Sequence, residues 1–156
     1  MPRLAVFDEP IRNFLLAQQC LEEPGVPWRQ PPADLAKARL ALITTAGLHL
    51  YGDSGFVTED ATFRVIPGNV MAAELVQTQT SANFDRSAIQ QDLNVTFPID
   101  RLRELAAAGQ IGSLATNHYS LNGALRSWDR LVSETAPALA RRLLDDGVQV
   151  VFLTPT

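Results

Sequence analysis

Threonines and histidines follow the places where apolar runs of this chain stop. Leu40 to Ile43 leads into Thr44 and Thr45, with His49 shortly after. Ile111 to Ala115 leads into Thr116, Asn117 and His118, and Val148 to Leu153 leads into Thr154, Pro155 and Thr156. Near-continuous apolar runs of this length read as strands buried on both faces, the pattern of a parallel sheet. In such a sheet the loops leaving the carboxyl ends gather along one edge, where ligands bind and the next helix aims its amino terminus. Thr44, Thr45, His49, His118 and Thr154 would then share an edge, hydroxyls and imidazoles positioning a substrate or moving protons. His49 and His118 are the two histidines of the chain, and two readings of them stand open. They are either acid/base groups of a shared cleft or loop histidines satisfied by backbone. Asp85 could complete a two-histidine, one-carboxylate metal site only if folding joined three distant positions, and no metal is expected.

Other chemistries lack their signatures. There is no Gly-x-Gly-x-x-Gly, no Gly-Lys-Ser/Thr loop and no Gly-x-Ser-x-Gly, and the lone lysine, Lys37, precedes the first strand. The 156 residues are 46% hydrophobic and 19% charged, with a formal net charge of −4. With no basic excess to meet phosphate or anionic lipid, neither nucleic acid nor a membrane surface is an expected partner. Asp8 and Glu9 interrupt the amino-terminal residues before a signal-peptide core develops, and no apolar run approaches spanning length, so a cytoplasmic protein is expected. A single cysteine, Cys20, excludes an internal disulfide and reads as a packing residue.

Residues 1–34 read as an amino-terminal helix and a proline-rich arm, and 35–156 as an α/β domain incomplete at its carboxyl end. Ile11, Phe14, Leu15, Gln18 and Leu21 have helical spacing, stopped by Pro24-Gly25. The arm from Pro24 to Pro32 is extended, with Trp28 pinning it to the body. Leu40–Thr44 is the first core strand, and Thr45-Ala46-Gly47 permits a tight exit. Phe63–Ile66 and Leu75–Gln77 are two short strands; Thr80–Asn94 is either a long functional loop or a short surface helix. Asp100 is the expected N-cap of a helix ended by Gly109. Ile111–Ala115 is a strand with Thr116 to Tyr119 as its exit loop. A helix within Trp128–Asp145 tolerates Pro137 in an early turn, and Gly147 stops it before the last strand. The closing order strand, helix, strand predicts a parallel crossover. The fold class is therefore α/β, an open, mainly parallel sheet with helices on both faces, incomplete after its last strand.

Three stretches in register carry a resemblance. Ala41 to His49 (ALITTAGLH), Asp92 to Leu102 (DLNVTFPIDRL) and Ile111 to Ala115 with His118-Tyr119-Ser120 are similar to the selenoprotein B family of glycine, sarcosine and betaine reductases and D-proline reductase. Glu134-Thr135-Ala136-Pro137, Ala140 to Leu143 and Phe152-Leu153-Thr154-Pro155 extend the match to the carboxyl end. The resemblance covers most of Pro24 to Thr156. One departure is Thr80 to Asp85, where the family's Ser-His-x-x-aromatic-Asp stretch keeps only Phe84 and Asp85.

The resemblance implies that a selenocysteine, or a cysteine replacing it, directly follows Thr156, so that no catalytic nucleophile lies within the 156 residues. A UGA codon read as stop accounts for such an end. Thr44, Thr45, His49, Asp85, His118 and Thr154 would support that nucleophile. It further implies reductive cleavage of a small amine or amino-acid substrate held as a Schiff base on the pyruvoyl group of a partner subunit, with a thiol or selenol redox partner. No cofactor is expected in this chain itself. Two other readings remain: a non-catalytic α/β binding or assembly subunit, and a stand-alone thiol oxidoreductase.

Overall fold

In the computed structural model, which describes residues 3–17, 25, 29–81 and 84–156, the chain divides into two compact units, 1–30 and 31–156. The smaller unit contains helix α1 (Glu9–Leu16), with a proline in its first turn where the missing N–H costs nothing. The expected continuation through Gln18 and Leu21, together with Cys20 and Trp28, lies outside the described residues.

The larger unit runs β1 (Arg39–Thr44), β2 (Leu48–Leu50), β3 (Phe63–Pro67), β4 (Leu75–Gln77), α2 (Ser87–Gln91), α3 (Ile99–Ala107), β5 (Ser113–Leu114), β6 (Asn117–Leu121), α4 (Ala136–Asp145) and β7 (Val150–Thr154). Strand β1 is the centre of a mainly parallel five-stranded sheet. β7 lies parallel on one side of it, while β5 and then β6 lie parallel on the other. β3 closes the β6 side in antiparallel sense, and β2 and β4 form a separate antiparallel pair.

Strand alternation distributes the core. Leu40 and Leu42 face one way and pack with Phe97, Ile99 and Leu102 of the α3 region, whereas Ile43 and Tyr119 meet Leu139 of α4. Helices therefore cover both faces of the sheet, as the apolar pattern predicts. β7 is the exception. It is paired as expected, but no strand of the described residues flanks its outer edge, and Phe152 and Leu153 stay 45% and 64% exposed.

Several local expectations are corrected by hydrogen bonding. The strand expected over Ile111–Ala115 shrinks to β5, because the Gly112 amide is taken by the carbonyls of Leu35 and Ala38. Thr116 to Tyr119 is not an exit loop. Ala115 and Thr116 interrupt the strand, the Thr116 amide donating to Asp146 Oδ2 at 2.8 Å, and β6 begins at Asn117. The true exit is Asn122-Gly123. Asp100 is not the N-cap of α3; Pro98 occupies that position, and Asp100 accepts from Arg103 instead. Upstream of α4 a π-helical segment, Leu131–Thr135, runs directly into the helix, which places Pro137 in the first α-turn.

Candidate functional site

Thr44 and Thr154 sit opposite each other at the carboxyl ends of β1 and β7. Both hydroxyls donate to one carbonyl oxygen, that of Thr96, at 2.9 Å and 2.7 Å. Thr44 Oγ1 also accepts from the Ala46 amide at 3.2 Å. Their protons are thus committed to backbone acceptors, so these threonines lock the two strand ends onto the segment preceding α3. They are positioning groups rather than acids. We expect Thr44→Val and Thr154→Val each to cost about 1 kcal/mol, and the pair to be non-additive because they share an acceptor. A double-mutant cycle read by urea denaturation checks this; full additivity would show that the shared carbonyl is not the link.

Thr45 points to the other face and does something different. Its hydroxyl accepts from the Thr156 amide at 2.9 Å and lies 3.2 Å from the Thr156 carbonyl oxygen, gripping that residue's backbone. Gly123 closes the same corner: a Cβ built there would stand 3.0 Å from the Thr156 carbonyl oxygen and 3.2 Å from Thr45. The exit loop itself is braced from β4 and the residues after it. Gln77 Nε2 donates to the Ala46 carbonyl and Gln79 Nε2 to the Thr45 carbonyl, each at 2.9 Å. Gly47, at φ +68°, turns the chain back into β2. Asn122 Nδ2 ties the exit of β6 to Thr80 Oγ1 at 2.8 Å.

The two histidines report to different places. His118 lies inside β6, fully buried, with Nδ1 accepting from the Leu42 amide at 3.1 Å and its ring edge-on to Phe97. The neutral ring therefore carries its proton on Nε2, which finds no partner among the described residues. Burial, reinforced by the Arg103 guanidinium and opposed by Asp146, pushes its pKa down to about 4. His118 is a neutral strut between two strands at neutral pH. His49 is buried in β2, donating from Nδ1 to the Leu50 carbonyl at 2.8 Å, with Nε2 unpartnered among the described residues. Each histidine is thus bonded to backbone. Asp85 caps the turn into α2 by accepting from the Ser87 amide at 2.8 Å, and those Ser87 bonds lower its pKa. No group of three His, Cys, Asp or Glu among the described residues could hold a metal ion.

The folded molecule thus gathers Thr44, Thr45 and Thr154 at one edge and adds Thr96, Gln79, Asn122 and Gly123, which residue type alone did not single out. Asn122-Gly123 could be read from sequence as a turn. Nothing in the sequence marks a glutamine two residues past a strand as the brace of another strand's exit.

The family model of glycine/sarcosine/betaine reductase selenoprotein B (GRDB) matches residues 17–156. D-proline reductase subunit gamma of Acetoanaerobium sticklandii is 34% identical over 128 residues, 81% of this chain and 52% of that protein. Sarcosine reductase complex component B subunit beta of Peptoclostridium acidaminophilum is 27% identical, covering 82% of this chain and 31% of the relative. Glycine reductase complex component B subunit gamma of Carboxydothermus hydrogenoformans is 28% identical, with the same two coverages, 82% and 31%. The chain therefore spans about half the length of the first of these relatives and about a third of the others. No solved structure matches. With a threonine-locked carboxyl edge built from stretches inside the matched 17–156, the chain belongs to the glycine/sarcosine/betaine reductase selenoprotein B family.

Proposed function

We propose that this chain forms part of a cytoplasmic subunit of a selenol- or thiol-dependent reductase that cleaves a small amine or amino acid. The proposed nucleophile is a selenocysteine or cysteine joined to Thr156 in the full polypeptide. The observation that carries the reading is the grip of Thr45 on both backbone polar groups of Thr156, at the edge where a parallel sheet presents ligands. Gly123 leaves that corner free of a side chain, which fits a reactive group placed there. The relatives are subunits of D-proline, sarcosine and glycine reductases, and this supports the substrate class. A pyruvoyl group on a partner subunit would activate the bound amine, and a thiol or selenol redox partner would restore the reduced nucleophile.

The residues of this chain have supporting tasks. Thr44 and Thr154 fix the strand ends, Thr45 fixes the backbone that bears the nucleophile, and Gln79 and Gln77 hold the exit loop against drift. A selenol or thiol at the amino terminus of a following helix would be favoured as its anion by the helix dipole. Among the described residues no helix is long and apolar enough to cross a membrane.

The test is an assay of the full polypeptide with its pyruvoyl-bearing partner, dithiothreitol and D-proline, glycine, sarcosine or betaine. We expect substrate-dependent ring opening or amine release that is abolished by alkylating the nucleophile and reduced about tenfold or more by Thr45→Val. Turnover without the partner would instead identify a stand-alone thiol oxidoreductase. The exposed Phe152 and Leu153 favour a second reading, a non-catalytic assembly subunit. Stable complex formation with no turnover on any of the four substrates would select it.

A further inference from the structure

A pocket of about 440 Å³ opens between the β2/β4 pair and α2. Leu48, Leu75, Ile89 and Leu93 give it an apolar floor, and Arg86 and three glutamines line the rest. No carboxylate among the described residues lines it. Arg86 donates from Nη2 to the Gln79 carbonyl at 2.6 Å and enters no ion pair among the described residues. That bond fixes the head of the guanidinium and leaves its other N–H groups available to an anion, the geometry that suits a carboxylate. An apolar floor beneath one cation and several amides complements a small molecule with a short hydrocarbon body and one negative end.

The pocket is tied to the edge described above. Gln77 lines it and also donates to the Ala46 carbonyl. Gln79, which receives the Arg86 hydrogen bond, donates in turn to the Thr45 carbonyl. One hydrogen-bonded chain, Arg86 to Gln79 to Thr45, therefore links the pocket to the residue that grips Thr156.

We propose that this pocket binds a small aliphatic monocarboxylate, with Arg86 pairing to the carboxylate and the leucines and Ile89 covering the hydrocarbon. The inference deepens the proposed function and rests on it in one respect: on that reading the ligand is the carboxylate end of the amino-acid substrate. Binding itself stands apart from turnover.

The experiment is a titration of the 156-residue chain with butyrate and with its neutral isostere butyramide, followed by amide and methyl NMR. Butyrate should shift the methyl resonances of Leu48, Leu75, Ile89 and Leu93 and bind at least about tenfold more tightly than butyramide, the worth of one charge-assisted contact. Added salt should weaken butyrate alone. Arg86→Gln should bring butyrate down to the butyramide level, and Arg86→Lys should restore part of the difference. Because Arg86 is exposed, these variants keep the fold; an unchanged spectrum outside the pocket verifies this. Equal binding of butyrate and butyramide, shifts away from the pocket, or butyrate affinity surviving Arg86→Gln would each overturn the proposal. Tight butyrate binding in a protein that reduces no amino acid would keep the site and discard its assignment to substrate.

Discussion

Gly47→Ala should unfold this protein at a markedly lower urea concentration, losing about 2–5 kcal/mol. Two independent costs meet at this residue. Its φ of +68° is one that alanine adopts only with strain, and a Cβ there would stand 2.8 Å from the Gln79 amide nitrogen and 2.9 Å from the Gln79 Cα. Neither of those atoms can rotate away, since they belong to backbone. The Gly47 amide donates to the Leu121 carbonyl and its own carbonyl accepts from Thr78, so the turn is held from both sides. For a domain with a typical stability of about 5–15 kcal/mol the loss is a large fraction. Gly47→Asn separates the costs, because asparagine tolerates the left-handed region yet still carries a Cβ. We expect it to recover only part of the loss. A Gly47→Ala midpoint equal to that of the unmodified chain would mean that the Gln79 backbone does not pack against Gly47.

The second large effect is an acid sensitivity set by His118. Burial first, and the Arg103 guanidinium second, depress its pKa from 6.5 to about 4, with Asp146 opposing. Above about pH 6.5 both folded and unfolded chains are neutral at this position, and its contribution to stability is complete. As pH falls below that value the unfolded chain takes up the proton while the folded one does not, and stability drains away until the folded imidazole protonates near pH 4. The loss from this one group is about 3 kcal/mol across that window. Protonation of Nδ1 would also strip the buried Leu42 amide of its acceptor. His118→Asn supplies an acceptor that does not titrate. It should be less stable at pH 7, because it leaves space beside Phe97, but lose much less between pH 7 and pH 4.5. Parallel pH dependences of the two proteins would refute the assignment.

The sequence revealed strands more readily than it revealed the partners of polar groups. β1 and β7 are legible because both carry the unbroken apolar runs of parallel strands, Leu40 to Ile43 and Val150 to Leu153, although only β1 is buried in the fold. β2 was not legible: with three residues, one of them a buried histidine, it carries no periodicity to detect. The division of β5 from β6 depends on a carboxylate from Asp146, thirty residues away, taking the Thr116 amide. His118 was misplaced for that reason, since a polar Thr-Asn-His stretch looks like a loop until the charge that interrupts the strand is known. At the candidate site Thr44, Thr45 and Thr154 were found by position alone. Their division of labour emerged only from the fold, where alternation turns Thr44 toward the Thr96 carbonyl and Thr45 toward Thr156.

Mass spectrometry of the natural gene product, from cells grown with selenium, looks for the proposed nucleophile itself. The measurement is tandem sequencing of the peptide that contains Phe152-Leu153-Thr154-Pro155-Thr156, before and after brief alkylation at mildly acidic pH. The residue joined to Thr156 should carry the selenium isotope pattern or the mass of cysteine, and should be alkylated faster than Cys20. A different residue at that position, or a selenol or thiol there no more reactive than Cys20, would contradict the proposed function.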